Sequence, residues 1–279
     1  MKNEALQQEV RELIINHLEI KEVSQNELAK MVGVSNGTIS NIVNEIWELV
    51  NETMLLKIKS FFKTKGWNVV ETHNFSTIQK ACNSARKKRF MIGLLGSAGT
   101  GKTTALQNYY EANANTFFVT GDRAMRSKQL LSEILKSLGV SYVASDYEMV
   151  KMIIDVLNKK NNPLLIIDEA SKLSPNALMY MQSIWDGIED NAGVILAGVE
   201  SLYDNLKKSS ERNKVGMQEF YSRVAQWQHL NTPTKKEIEA ICINNGVTNP
   251  DEIKTMYRLG NFRYVRNVIL NLVSDEQES

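Results

Sequence analysis

The feature of this chain that most restricts its fold is a glycine-rich run between an apolar stretch and a helix-forming stretch. Residues 96–103 read Gly-Ser-Ala-Gly-Thr-Gly-Lys-Thr, which fits the pattern G-x-x-x-x-G-K-[ST] at every defined position, and residues 90–95 before it are apolar. The glycines let the backbone curl so that successive N–H groups point inward at a phosphate, in front of a partly positive helix N-terminus. The sequence therefore predicts a strand, a phosphate-binding loop and a helix that together bind a nucleoside triphosphate.

The polar side chains of this loop have separate predicted roles. Lys102 is expected to reach the β- and γ-phosphates of ATP as a catalytic cation, and the Thr103 hydroxyl is expected to bind Mg²⁺. A glycine-rich turn without this function would leave unexplained both the Lys-Thr pair and the strand pattern before it. The predicted ATP-binding residues of the loop are Gly96, Ser97, Ala98, Gly99, Thr100, Gly101, Lys102, Thr103 and Thr104.

A second acidic element follows about sixty residues later. Residues 164–169 read Leu-Leu-Ile-Ile-Asp-Glu, which is the pattern of a buried strand that ends in two carboxylates. Asp168 is expected to hold Mg²⁺ through water, and Glu169 to polarise the attacking water as a catalytic residue. Because a water nucleophile needs such an orienting group, the pair predicts ATP hydrolysis and not only nucleotide binding.

Composition restricts the class of protein without identifying it. The 279 residues suit one domain of roughly 200 residues with a smaller appendage. The net charge of +1 argues against indiscriminate binding of nucleic acid, although local basic patches leave DNA open. No apolar run approaches membrane-spanning length, so we expect a cytoplasmic protein with no membrane partner. The two cysteines, Cys82 and Cys242, are expected to be free buried thiols.

The N-terminal segment has the pattern of a helix-turn-helix unit. Ser24 with Glu27 forms a predicted capping box, Gly33 ends that helix, and Ser35 caps a second one. In DNA-binding proteins of this type the second helix enters the major groove. The polar residues of this second helix that we predict to be exposed are Ser35, Asn36, Thr38, Ser40, Asn41 and Asn44. Among them, we predict that Asn36 and Thr38 contact DNA. Because that helix has no Lys or Arg, its attraction to DNA phosphates would be weak, and the alternative remains that this helical domain does not contact DNA.

The remaining chain divides into an alternating core and a helical end. Apolar strands are predicted at residues 91–95, 116–120, 164–168 and 193–198, with helices between them, which indicates a parallel sheet covered on both faces. From residue 235 onward only helices are predicted. The predicted domains are therefore a helix-turn-helix domain at 1–66, a P-loop core at 67–232 and a helical lid at 233–275.

This order of phosphate loop, Asp-Glu strand, later strand, arginine and lid resembles the AAA+ ATPases. Within them, the helix-turn-helix, the short lid and residues 220–225 (Phe-Tyr-Ser-Arg-Val-Ala) resemble the transposition B family of phage Mu, which are ATP-dependent selectors of target DNA. The similarity also includes residues 71–72, 164–170, 234–236 and 260–263. It implies an α/β fold, namely an AAA+ P-loop NTPase with a parallel sheet and a small helical lid, preceded by an all-α helix-turn-helix domain.

The resemblance also implies roles for residues outside the loop. Arg223 would be a catalytic arginine finger that enters a neighbouring subunit's nucleotide site, with Arg212 as its substitute. The alternatives are that Arg223 is a surface arginine or forms an intramolecular ion pair. Arg263 would be the lid arginine at the γ-phosphate, a place that Arg266 could also take. The family generally has a polar residue that positions water after the fourth strand, whereas this chain has Val199. Either Glu200 substitutes for it or hydrolysis is slow.

By the same resemblance, the core domain would bind double-stranded DNA. The family forms helical filaments whose inner surface follows the DNA backbone, and Arg123, Arg126 and Lys128 supply cations for such contacts. The expected partners are double-stranded DNA, further copies of the chain and a transposase, with ATP and Mg²⁺ as cofactors. Two alternatives remain: an ATP-controlled helix-turn-helix transcription regulator, and a nucleotide switch that binds no DNA.

Overall fold

The structure is a computed structural model that describes residues 2–62, 68–212 and 215–278. Four helices precede the core: α1 (Lys2–Lys21), α2 (Gln25–Val32), α3 (Asn36–Val43) and α4 (Glu52–Phe61). The core consists of α5 (His73–Lys88), β1 (Met91–Leu95), α6 (Lys102–Ala112), β2 (Thr116–Thr120), α7 (Ser127–Ser137), α8 (Asp146–Asn158), β3 (Leu164–Asp168), α9 (Pro175–Ile188), β4 (Gly193–Gly198), α10 (Ser201–Glu211), α11 (Met217–Arg223) and β5 (Val224–His229). The chain then forms α12 (Lys235–Asn244), α13 (Pro250–Met256) and α14 (Phe262–Glu278).

The five strands of the described residues form one parallel sheet in the order β2-β3-β4-β1-β5. Every residue of β1, β3 and β4 is buried, because helices cover both faces of the sheet, and this explains their continuous apolar sequence. All carboxyl ends lie at the same edge, where β1 leads into the phosphate loop and β3 ends at Asp168. The four predicted strands and the parallel sheet are confirmed.

The fifth strand was not expected from the sequence. Strand β5 reads Val-Ala-Gln-Trp-Gln-His and lies at the edge of the sheet, where Val224 is its only fully buried residue. Trp227 packs on Gly93 of β1 so closely that a Cβ atom at Gly93 would lie 2.1 Å from the Trp227 ring. The polar edge strand is therefore held by its backbone ladder with β1 and by the packing of Trp227 on Gly93, Tyr203 and Tyr221.

Helices α2 and α3 form the predicted helix-turn-helix. Ser24 and Glu27 make the capping box, Gly33 ends α2 in the left-handed region at φ 74°, and the Ser35 Oγ accepts the Thr38 N–H at 3.0 Å. Thr38 is only 6% exposed, and its hydroxyl hydrogen-bonds with Ser35 at 2.8 Å. The predicted exposure of Thr38 is therefore wrong, because this side chain faces the helical core, whereas DNA contact by α3 stays a prediction. Asn36 is exposed.

The N-terminal helices pack on the core through a buried lysine at the end of α1. Lys21 is 4% exposed, and its ammonium donates to the Asn113 carbonyl at 2.9 Å, just past the end of α6. The same ammonium lies 3.6 Å from the centre of the Tyr110 ring. Burial lowers the pKa of Lys21 to about 7. The contact places a cation at the C-terminal end of the helix that begins at the phosphate loop.

Three further predictions bear on the fold. Cys82 and Cys242 are free and buried, as predicted. None of the helices in the described ranges is both long enough and apolar enough to cross a membrane. The predicted boundary between domains at residues 66 and 67 lies outside the described residues, and the division into three domains stays a prediction.

Candidate nucleotide-binding site

The phosphate loop takes a conformation that only glycine accepts without strain. It connects β1 to α6, and Gly99 and Gly101 have φ values of 81° and 87°. Gly99 also has no space for a side chain, because a Cβ atom there would lie 1.8 Å from the Asn261 Oδ1. Asn261 Nδ2 donates to the Ala98 carbonyl at 2.7 Å, and the Phe262 N–H donates to the Gly99 carbonyl at 2.9 Å. The start of α14 therefore packs directly on the loop.

Lys102 begins α6 and lies folded against the loop. Its side chain is buried, with 8% exposure, and Nζ donates to the carbonyls of Gly96 at 2.5 Å and Ser97 at 3.0 Å. Burial lowers the pKa of Lys102, although the carboxylates of Asp168 and Glu169 oppose this shift. Phosphate oxygens would offer this ammonium a stronger, charge-assisted set of acceptors than two carbonyls do.

Two oxygen ligands for a metal ion lie together where α6 and β3 meet. The Thr103 hydroxyl donates to Asp168 Oδ2 at 2.7 Å, and Asp168 Oδ1 accepts the Glu169 N–H at 2.9 Å. Asp168 is 1% exposed, and burial raises its pKa against the effect of these hydrogen bonds. Hydroxyl and carboxylate oxygens are hard ligands of the kind that Mg²⁺ prefers, so the pair fits this ion. The described residues contain no cluster of three or more His, Cys, Asp or Glu side chains, so further ligands would come from phosphate and water.

Glu169 follows the end of β3 in a backbone conformation that is uncommon for a residue with a side chain. Its φ is 54°, in the left-handed region, which non-glycine residues adopt mainly where the surrounding structure forces them to. One carboxylate oxygen lies 3.6 Å from Lys172 Nζ. The carboxylate does not take part in the Thr103–Asp168 pair, so the structure gives it a position separate from the metal ligands.

These groups line one cavity of about 430 Å³, which is large enough for a nucleotide triphosphate group. Its polar lining includes Lys102, Thr103, Glu169, Lys172, Arg263 and Arg266. Both candidate lid arginines therefore reach the cavity, since Arg263 and Arg266 lie one turn apart on α14. The excess of cations suits a polyanionic ligand.

An apolar cavity adjoins the phosphate loop on the side of the linker before α5. Val69, Val70, Phe75, Ile241 and Phe262 contribute its apolar surface, and Gly101 and Thr104 of the loop region lie at its edge. A flat aromatic base would gain apolar contact in such a cavity while its phosphates lie at the loop. This apolar cavity has a volume of about 60 Å³ and shares Gly101, Thr104 and Phe262 with the larger cavity.

The end of β4 carries an apolar residue where the family generally has a polar one. Val199 lines the cavity, whereas Glu200 is absent from the described side chains that line it. The Glu200 carboxylate instead lies 3.0 Å from the His229 Nδ1 at the end of β5. The sequence left two alternatives, namely that Glu200 takes the place of the missing polar residue or that hydrolysis is slow. This geometry favours slow hydrolysis.

Arg223 lies at the end of α11 and is paired within the chain. Its Nε donates to Asp186 Oδ1 at 3.0 Å, and its side chain is 36% exposed. Arg223 is not among the described side chains that line the 430 Å³ cavity of its own chain. The intramolecular ion pair is thus present, and a role in another subunit's site stays a prediction. Arg212 is exposed and directly follows α10.

The three cations predicted to bind DNA lie on one short surface segment. Arg123 is in the loop after β2, Arg126 immediately precedes α7, and Lys128 is in the first turn of that helix. All three side chains are exposed. Arg86, which begins a separate basic run at residues 86–89 (Arg-Lys-Lys-Arg), instead donates to the Ala114 carbonyl at 2.9 Å, which is a structural contact.

The sequence analysis missed two asparagines that hold the phosphate loop. Asn261 bonds the loop from α14, and Asn74 bonds the Thr100 carbonyl from α5 at 3.1 Å. Neither belongs to a motif with a known spacing from the loop. The one local signal is the position of Asn261 next to the predicted lid arginine, in the run Gly-Asn-Phe-Arg at residues 260–263.

Residues 85–206 match the family described as AAA domain. The chain is 25% identical over 251 residues to the Mu-like prophage FluMu DNA transposition protein B of Haemophilus influenzae, covering 86% of each protein. It is 23% identical to the ATP-dependent target DNA activator B of Escherichia phage Mu, covering 80% of this chain and 73% of that protein. Both similarities therefore extend well beyond the matched domain.

The fold is also similar to that of a solved nucleotide complex. The Aeropyrum pernix ORC2 protein, in ADPNP and ADP complexes, superposes with a TM-score of 0.57 at 18% identity, covering 77% of this chain and 64% of that one. This likeness supports the fold alone. The phosphate loop, the Thr103–Asp168 pair and the parallel sheet agree with the match of residues 85–206 to the AAA domain, and the chain as a whole is similar to the Mu-like transposition B proteins.

Proposed function

We propose that this protein assembles on double-stranded DNA when it binds ATP and Mg²⁺, and that it delivers that DNA as a target to a transposase. The observation that carries the proposal is one cavity lined by Lys102, Thr103 and Glu169, with Asp168 hydrogen-bonded to Thr103 beside it. Relatives named as transposition protein B and as target DNA activator support the DNA and transposase parts, because the alignments include most of the chain.

The chain's own residues divide the chemistry among them. The loop N–H groups and Lys102 would bind the β- and γ-phosphates, and Arg263 would contact the γ-phosphate from α14. Thr103 and Asp168 would hold Mg²⁺, which when bound neutralises charge on the phosphates. Glu169 would orient a water and accept its proton as the water attacks the γ-phosphorus and ADP leaves. Val199 gives that water no further hydrogen bond, so turnover is slow.

Self-association completes the proposal, because Arg223 is accessible from outside its own chain. The guanidinium is partly exposed and is held by Asp186, another partly exposed side chain, so a second copy can approach it. We infer that Arg223 exchanges Asp186 for the γ-phosphate of a neighbouring subunit when the protein assembles. A bound γ-phosphate would then link two copies, and hydrolysis would release them.

Replacing Arg223 with alanine tests this arrangement. We expect ATPase activity to lose its dependence on protein concentration and to fall by about tenfold to a hundredfold, because one charged hydrogen bond to the phosphate is lost. Steady-state ATPase assays across a concentration series measure this. Arg212→Ala is the matched control and should keep both properties. If Arg212→Ala shows the loss and Arg223→Ala does not, the finger is Arg212 and our assignment is wrong.

Replacing Arg123, Arg126 and Lys128 together with alanine tests DNA contact by the core. We expect the wild type to cosediment with duplex DNA of any sequence only when ATP is present. The triple variant should bind more weakly. The slope of the logarithm of its binding constant against the logarithm of salt concentration should be shallower by roughly 0.9 for each lost phosphate contact. Asn36→Ala, in α3, is the control for the helix-turn-helix.

The outcomes of that experiment separate the proposal from its alternatives. A footprint confined to one short palindrome, and lost in Asn36→Ala, would indicate an operator-specific regulator. Failure of the wild type to bind any duplex at low salt would indicate a nucleotide switch that does not act on DNA. Equal cosedimentation with and without ATP would contradict ATP-dependent assembly.

A further inference from the structure

Asn74 is a buried polar side chain that no motif of the ATPase site includes. It lies in the first turn of α5 and is 4% exposed. Its Nδ2 donates to the Thr100 carbonyl at 3.1 Å and to the Asn231 carbonyl at 2.7 Å, while its Oδ1 accepts the Asn231 N–H at 3.1 Å. Both amide hydrogens are used. The opposite amide orientation would place Oδ1 against two carbonyls, so the hydrogen-bond pattern defines the orientation.

These hydrogen bonds connect two functionally different parts of the chain. Thr100 belongs to the phosphate loop, whereas Asn231 lies in the linker between β5 and α12. The carboxamide pairs with both the N–H and the carbonyl of Asn231, as a neighbouring strand would. Next to it, the His73 N–H donates to the Glu237 carboxylate of α12 at 2.8 Å. The start of α5 therefore joins the loop to the beginning of the C-terminal helices.

Hydrogen bonds to the loop carbonyls also determine where the loop N–H groups point. In a trans peptide the C=O and the following N–H point in opposite directions. Asn74 holds the Thr100 carbonyl, which orients the Gly101 N–H away from Asn74. In the same way, Asn261 and the Phe262 N–H hold the carbonyls of Ala98 and Gly99, which orients the N–H groups of Gly99 and Thr100. Three successive donors of the loop are thus aligned from behind by residues outside it.

We propose that Asn74 is a positioning residue that aligns the Gly101 N–H for phosphate binding and transmits occupancy of the loop to the linker at Asn231. A phosphate that pulls on the Gly101 N–H moves the same peptide unit that Asn74 holds. The shift passes through the rigid carboxamide to Asn231, and from there to α12. The inference rests on nucleotide binding by this loop and does not depend on delivery of DNA to a transposase.

Asn74→Asp tests the proposal with almost no change in shape. The aspartate keeps an oxygen that accepts the Asn231 N–H. It lacks the two N–H donors of asparagine, so its second oxygen faces the carbonyls of Thr100 and Asn231. We expect the Kd for a fluorescent ATP analogue and the KM for ATP to rise by about tenfold or more, with a smaller change in kcat at saturation. Unchanged affinity in the folded variant would overturn the positioning role.

Asn191→Asp is the matched control for a merely structural effect. Asn191 Nδ2 also donates to two backbone carbonyls, those of Leu157 and Lys160, each at 3.1 Å, but it lies before β4, at the opposite edge of the sheet from the loop. We expect it to lower the melting temperature without changing nucleotide affinity. If both variants weaken nucleotide binding in proportion to their loss of stability, Asn74 has only a structural role.

Hydrogen exchange of the wild-type protein tests the transmission without any substitution. Saturating ADP or ATP should slow exchange of the Asn231 amide and of the first turn of α12. Asn74→Ala, at a nucleotide concentration that saturates it, should lose this protection while the loop itself stays protected. Protection of the linker that persists in Asn74→Ala, or that is absent in the wild type, would overturn the transmission. Wild-type protein that binds no nucleotide would overturn the site as well, whereas failure of DNA cosedimentation alone would contradict only the delivery role.

Discussion

The Lys102→Ala variant is expected to bind ATP weakly and to hydrolyse it roughly 10³-fold more slowly than the wild type. Lys102 is the buried cation at the base of the cavity, where its ammonium contacts the carbonyls of Gly96 and Ser97. Its charge opposes that of the phosphates inside a partly enclosed site, where electrostatic interactions are stronger than in bulk water. The measurements are the Kd for a fluorescent ATP analogue, steady-state ATPase rates and ATP-dependent cosedimentation with duplex DNA.

Lys172→Ala is the control for loss of a cation from the same cavity. Lys172 also lines it, but its side chain is 38% exposed and lies 3.6 Å from Glu169. We expect a loss of less than about tenfold in this variant, since an exposed ion pair contributes little. A melting curve establishes that Lys102→Ala is folded. If the folded variant binds ATP normally and still assembles on DNA, the proposed coupling of phosphate binding to assembly is wrong.

The parts of the site that the sequence could predict are those whose signal is local. The loop pattern specifies Gly96, Gly101, Lys102 and Thr103 within eight residues, and the acidic strand specifies Asp168. Buried parallel strands read as unbroken apolar runs, which is why four of the five strands were recognised with correct bounds. The structure brings Thr103 and Asp168 together because β1, which leads into the loop before α6, and β3 present their carboxyl ends at the same edge of the parallel sheet.

What could not be predicted depends on contacts between distant residues. Asn74 and Asn231 are separated by 157 positions, and Asn261 and Ala98 by 163, so no local spacing records these hydrogen bonds. Strand β5 was missed because an edge strand does not need an apolar sequence. Thr38 was misassigned because α3 has only eight residues, too few for periodicity to show which face its polar residues occupy.

The Glu169→Gln variant is expected to separate ATP binding from hydrolysis. Glutamine has nearly the same shape as glutamate but cannot accept a proton from water, so kcat should fall roughly 10³-fold. ATP affinity should stay near that of the wild type, because the carboxylate takes no part in the Thr103–Asp168 pair or in the bonds of Lys102. The variant should therefore form assemblies on DNA that persist after excess ATP is removed. Single-turnover hydrolysis and DNA dissociation rates measure the two effects.

Asp168→Asn is the informative comparison, because it changes the neighbouring carboxylate that is assigned to the metal. Asp168 is buried and accepts the Thr103 hydroxyl, so its loss should weaken Mg²⁺-dependent ATP binding and assembly together with hydrolysis. We therefore expect opposite effects on assembly from substitutions at adjacent residues: Glu169→Gln should prolong it and Asp168→Asn should weaken it. Should Glu169→Gln hydrolyse ATP at the wild-type rate, the water would have to be oriented by another group, and the nearest side chain at the end of β4, Val199, cannot do so. A wild-type rate of single-turnover hydrolysis in Glu169→Gln would therefore contradict the assignment of Glu169 as the group that accepts the proton from water.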